Sequence, residues 1–184
     1  MSDIVDVEAA AFVYLMAETE SICKHDQDSW FHEAKDCGTS ACLAGHAGMY
    51  EHGEEGGRRI SMAHNSATEG ARIIMKPEKL FYSLDEMQAM EQEKRDYALK
   101  VKNALNKLAD IFKLTSGTIQ VRGIKPITDD PITGDMKAEE MALSEFKAWV
   151  YTYTSDEEQK QFENLISVNP QKLKKSKLPD KNPA

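Results

Sequence analysis

The chain has 184 residues, a net charge of −8, 41% hydrophobic and 29% charged side chains and few aromatics at 8%, a balance that suits one ordinary domain with its own core. No apolar run approaches the length that would cross a bilayer, and three cysteines, an odd number, fit free thiols or metal ligands better than a disulfide framework. The charge is lopsided: residues 171–184 carry +4 and the rest of the chain −12, which disfavours non-specific nucleic-acid binding and favours a basic partner surface. The first residues, Met1 to Asp6, lack the basic and apolar regions of a signal peptide, so a reducing, cytoplasmic setting in a host cell is expected, with no membrane partner.

In chain order, Asp6–Thr19 reads as a first helix, with Val7, Ala10, Ala11, Tyr14 and Leu15 near helical spacing. Residues 20–38 are polar and irregular, anchored by Trp30 and Phe31. Thr39 is a good N-cap for a small-residue helix, Ala41–Tyr50, whose Gly45 and Gly48 each cost on the order of 1 kcal/mol relative to alanine. Close approach of another backbone or of a ligand would recover that cost. The glycines of 51–59 suggest a flexible loop, and Ala63, Ala67, Ala71 and Ile74 share one face of a helix over Ser61–Met75. Lys76-Pro77 stops that helix and leads into a short turn over 78–82. Ser83-Leu84-Asp85-Glu86 is a capping box opening the longest helix, to about Lys113, with a charged early half and with Tyr97, Val101, Ala104, Leu105, Leu108, Ile111 and Phe112 toward the core. Residues 118–124 alternate as a lone strand would, and 125–135 form an irregular loop. Met136–Tyr153 is a helix burying Met141, Ala142, Phe146, Trp149 and Val150, and a second capping box, Ser155 to Glu158, opens a helix that ends before Pro170.

The fold class is therefore mostly α, a compact multi-helix domain with at most a minor β element near 118–124. An N-terminal helical lobe (1–125) is built around the Cys37–Gly48 stretch, a C-terminal helical pair (136–169) packs on it, and a basic tail (170–184) follows.

The central stretch also carries a resemblance. Cys37-Gly38-Thr39, Cys42 and Ala44-Gly45 are similar to the C-G-T-x-x-C-x-A-G signature of small proteins found mainly in phages and bacteria, with Trp30 upstream and Ala63, Ala67, Ala71 and Leu80-Phe81 downstream fitting the same pattern over roughly residues 10–112. The resemblance implies a compact helical protein of a phage or its host and brings no established activity with it. An aromatic often stands in that family where His46 stands here.

Three constellations bear on chemistry. His32, Cys37, Cys42 and His46 place four zinc-type ligands within fifteen residues, although the spacing matches no common finger, and small packed cysteines beside surface histidines would read the same way. Cys37 or Cys42 near a helix start has a thiolate stabilised by the helix dipole, but no histidine follows His64 to serve as a distant base. His52, Arg58, Arg59 and His64 flank the glycine run, where a nucleotide phosphate would find positive charge without any phosphate-loop pattern.

None of these outweighs ordinary packing and solvation. The reading is accordingly a non-enzymatic interaction protein, phage-encoded by resemblance, that binds and inhibits a host macromolecule such as a defence or nucleic-acid-processing protein. Its expected surface is Asp85, Glu86, Glu91 and Glu93, with Lys172, Lys174 and Lys175 of the tail as a second arm able to reach nucleic acid or an acidic protein. No catalytic residue and no cofactor is assigned. The alternative is a small metal- or nucleotide-binding protein with its site around residues 32–64.

Overall fold

The computed structural model describes residues 4–34, 38–113 and 138–167. The strand expected over 118–124, the loop over 125–135, Cys37 and the tail lysines Lys172, Lys174 and Lys175 lie outside them. Seven helices and one small sheet make up the described fold, which is the mostly α architecture the sequence implies.

Helix α1 (Val7–Thr19) is its axis. Asp6 caps it by accepting the Ala9 amide at 3.1 Å, and nine of its thirteen residues are buried, from Val7 to Ala17. A helix apolar on nearly every side must be covered on nearly every side. α2 (Leu43–Met62), α3 (Ser66–Ile74) and the C-terminal helices α6 (Ala138–Thr152) and α7 (Asp156–Ile166) all pack against it. The chain just before α1 is tied to the end of α3 by the Asp6 amide on the Ile74 carbonyl (2.8 Å) and the Lys76 amide on the Ile4 carbonyl (2.9 Å).

The glycine run is not a loop. α2 continues through it, folded sharply at His52 and Gly53 into two arms, 43–51 and 54–62. Gly53 takes φ +62° and ψ −149°, a region essentially reserved for glycine. The arms then meet backbone to backbone: a Cβ on Gly48 would lie 2.5 Å from the Gly56 carbonyl oxygen. Close approach therefore does account for Gly48, with a second stretch of the same chain as the approaching group. Downstream, the expected helix over Ser61–Met75 begins only at Ser66, after a turn in which Asn65 caps α3.

Between α1 and α2 lies a three-stranded sheet that the polar sequence does not announce. β1 (Lys24–His25) runs parallel to the central strand β3 (Gly38–Ala41), and β2 (His32–Ala34) runs antiparallel on its other side, pairing His32 with Ser40 and Glu33 with Thr39. Thr39 is thus a strand residue, and the N-cap of α2 is Cys42, whose side chain makes no capping bond. The role is filled from a distance: Gln27 Oε1 accepts the Leu43 amide at 2.9 Å, and the Cys42 amide donates to the Ser29 carbonyl at 2.8 Å.

The first capping box is present but opens only a short helix, α4 (Leu84–Ala89); the long helix α5 (Gln92–Phe112) starts afresh after a break at Met90-Glu91. The apolar face of α5 is as expected from Val101 to Phe112, joined by Ala98 and Ala109, whereas Tyr97 is largely exposed. α6 buries Met141, Ala142, Phe146, Trp149 and Val150, and α7 opens with the second capping box, Ser155 with Glu158. Phe146 meets Phe112 edge to face at 5.8 Å, Phe162 meets Tyr14 in the same way at 5.8 Å, and the Trp149 indole donates to the Ala104 carbonyl at 2.9 Å. One apolar core runs from Ile4 to Phe162.

Candidate functional site

The fold brings together, under the N-terminal arm of α2, side chains that the sequence scatters. His46 and Met49 are one helical turn apart on the same face. Against them comes Cys23, from the bend between α1 and β1: its Sγ is 4.0 Å from His46 Nε2 and 3.9 Å from Met49 Sδ. His25, on β1, stands edge to face with His46 at 5.7 Å and is bonded through Nε2 to Gln27 Oε1 at 2.9 Å. Cys23, Met16, Ala41 and Met49 form a small apolar cluster of their own. The cluster is partly closed by Phe31 and Tyr50.

Burial sets the protonation of this group. His46 is 0% exposed and its pKa falls to about 3, chiefly because a charged imidazole cannot be solvated there, with His25 adding like-charge repulsion. The Cys23 thiol is pushed up to about 12 by desolvation first and then by nearby Glu20. His25 is lowered by burial, against an opposing contribution from its Gln27 hydrogen bond. Cys42 has its Sγ 3.8 Å from the Trp30 carbonyl oxygen, and its thiol is raised to about 11: desolvation outweighs the amides of the helix start, which act in the opposite direction. The dipole-activated thiolate expected at this helix start is therefore not what Cys42 provides. Cys23 and Cys42 are both free thiols, and at neutral pH the thiol and imidazole of the Cys23–His46 pair are both uncharged. The Nδ1 of His46 has no hydrogen-bond partner.

Three of the four zinc-type ligands, His32, Cys42 and His46, lie among the described residues. His32 lies exposed on edge strand β2, while Cys42 and His46 are buried, and no group of three or more His, Cys, Asp or Glu side chains is arranged there to hold a metal ion. Among the described residues the thiol beside His46 is that of Cys23. Spacing gave no hint of it, since the pairing depends on how the sheet returns the chain. The useful signal was the one-turn step from His46 to Met49.

The phosphate-type residues fare better. His52, Arg59 and His64 line one cleft of about 440 Å³ between the arms of α2 and the start of α3, together with Glu51, Glu69 and Arg72. Arg58 does not join them: it reaches across to Glu33 on β2 at 2.7 Å and to Glu54 and Glu55 at 3.5 Å. Carboxylates stand beside several of these groups: Glu51 is 3.1 Å from His52 and Glu69 3.3 Å from Arg72 within the cleft, and Glu55, from outside its lining, is 3.7 Å from Arg59. Charge of both signs leaves little net attraction for a phosphate.

The acidic surface is built differently again. α4 has no buried residue. It is held by the Ser83–Glu86 capping box, by an ion pair from Lys79 to Glu86, and by the Arg95 guanidinium, which donates to the Met87 carbonyl at 3.0 Å and the Met90 carbonyl at 3.1 Å. Asp85, Glu91 and Glu93 face solvent, whereas Glu86 is committed to the cap and to Lys79. Leu84 is 77% exposed and Phe81 53%.

No protein-family model, curated protein or solved structure matches this chain. Among the described residues no helix is long and apolar enough to cross a membrane.

Proposed function

We propose that this chain is a non-enzymatic binding protein that docks the α4 arm onto a basic surface of another macromolecule. One observation carries this reading: a helix with no buried residue is nevertheless capped at both ends and presents Leu84, 77% exposed, among carboxylates. Exposed apolar patches rimmed by polar residues mark interaction sites, and Phe81, 53% exposed, stands three residues before Leu84. A helix already formed before contact loses less ordering entropy on binding than a segment that must fold against its partner. The apolar tip supplies contact area and the charges Asp85, Glu91 and Glu93 supply steering and register. The neutral state of the Cys23–His46 pair supports a non-catalytic reading, since neither a thiolate nor a charged acid is on hand. The likeness of the Cys37–Gly45 motif to phage proteins makes a host protein, inhibited by occlusion of its basic surface, the partner we favour.

A photoreactive amino acid placed at position 84 tests this in host cells. The expected result is one dominant cross-linked partner, lost when Asp85, Glu91 and Glu93 are all changed to lysine and retained when Arg58 is changed to alanine. Cross-linking that survives the triple charge reversal would reject the α4 reading.

A further inference from the structure

We propose that Cys23, His46 and Met49 form a three-coordinate site for a soft monovalent metal ion, copper(I). This is independent of the docking role of α4. The argument begins with separations. Metal–sulfur and metal–nitrogen bonds of about 2.3 and 2.0 Å would set the ligand atoms of a trigonal site about 4.0 Å apart for a sulfur pair and about 3.7 Å apart for sulfur and nitrogen. The sulfurs of Cys23 and Met49 are 3.9 Å apart, and Cys23 Sγ is 4.0 Å from His46 Nε2. Both distances are too long for strong hydrogen bonds and close to two edges of a coordination triangle, the two that meet at Cys23.

The donor set selects the ion. A thioether is a poor ligand for zinc, while thiolate and thioether together favour copper(I). Charge points the same way. Binding breaks the Cys23 S–H bond, releases that proton to solvent and forms a sulfur–metal bond with no change of oxidation state. One thiolate with one monovalent cation gives a neutral complex, which a buried apolar pocket accepts; a divalent ion would leave a net positive charge there.

The state of His46 adds to this. It is 0% exposed, and its Nε2 has the Cys23 thiol 4.0 Å away, longer than an ordinary hydrogen bond, so coordination would give that nitrogen a closer partner. Cys23 lies on the bend after α1, next to the half-buried Ser21 and Ile22. His46 and Met49 are held on one helix, and Cys23 comes to them from outside it.

The test is a competition titration of the full-length chain with copper(I) against a colourimetric copper(I) chelator, in anaerobic reducing buffer, with X-ray absorption on the product. The expected result is one copper per chain, with two sulfurs and one nitrogen around it. Cys23→Ser and Met49→Leu should each weaken binding at least tenfold. Met49→Leu is a near-isosteric swap that cores tolerate well, and its near-ultraviolet circular dichroism reports whether the fold is kept. Folded Met49→Leu that holds copper(I) with unchanged affinity would overturn the site. So would a wild-type chain that leaves the metal with the chelator, a copper shell without nitrogen, or zinc(II) held as tightly as copper(I).

Discussion

The hairpin of α2 and the arm of α4 are both short helical pieces, stabilised in opposite ways. In α2 two arms touch through Gly48 and Gly56, and Phe31, Ala44 and Ile60 fill the space around the small residues. In α4 nothing is buried, and hydrogen bonds from Ser83, Glu86 and Arg95 carry the load. Packing fixes a unique arrangement but tolerates no added atom. Capping tolerates almost any outward side chain and leaves the surface free for a partner.

The largest test of this contrast is Gly56→Ala. A Cβ there runs into the Gly48 carbonyl, backbone against backbone, so a loss on the order of 3 kcal/mol in chemical denaturation is expected. An unchanged midpoint would mean that the arms do not pack as described.

Acid is a milder probe of the packed side. The folded chain keeps His46 neutral down to about pH 3, whereas an unfolded chain takes up that proton near pH 6.5. The stability His46 contributes is thus full above pH 6.5 and lost as pH falls toward 3. His25, also lowered, adds to the loss. On the alkaline side the raised Cys23 thiol, at about 12, contributes stability that is lost as pH rises from 9. Denaturation midpoints across this range should therefore peak near neutrality, and His46→Leu should flatten the acid limb.

The capped side responds less. Ser83→Ala removes one half of the capping box and should cost about 1 kcal/mol of α4 helicity, seen as faster amide exchange over 84–89 with no change in global midpoint. A global shift would show that α4 is part of the core after all. Smallest of all, Arg58→Ala breaks exposed ion pairs to Glu33, Glu54 and Glu55 and should leave the midpoint of the same denaturation assay almost unchanged.

What could be read directly from the residues follows this same division. Both capping boxes and the buried face of α6 are local signals, set by residues three or four apart, and the structure has them where the sequence puts them. The glycine run misleads because the same composition suits a solvated loop and a tight helical hairpin; which one forms depends on what faces it. The sheet is hidden because strands of two to four residues are too short to show alternation. The copper-type cluster escapes for a related reason: Cys23 reaches His46 only after β1, β2 and β3 have returned the chain to the start of α2.

The hairpin also bears on the order in which the chain acquires its structure. Gly48 and Gly56 lie eight residues apart, so their contact closes a small loop and loses little chain entropy. The indole bond from Trp149 to Ala104 spans 45 residues and has to wait for α5 and α6 to find each other. Substitution at Gly53 should therefore slow refolding, and Trp149→Phe should instead hasten unfolding, in stopped-flow experiments on the two variants.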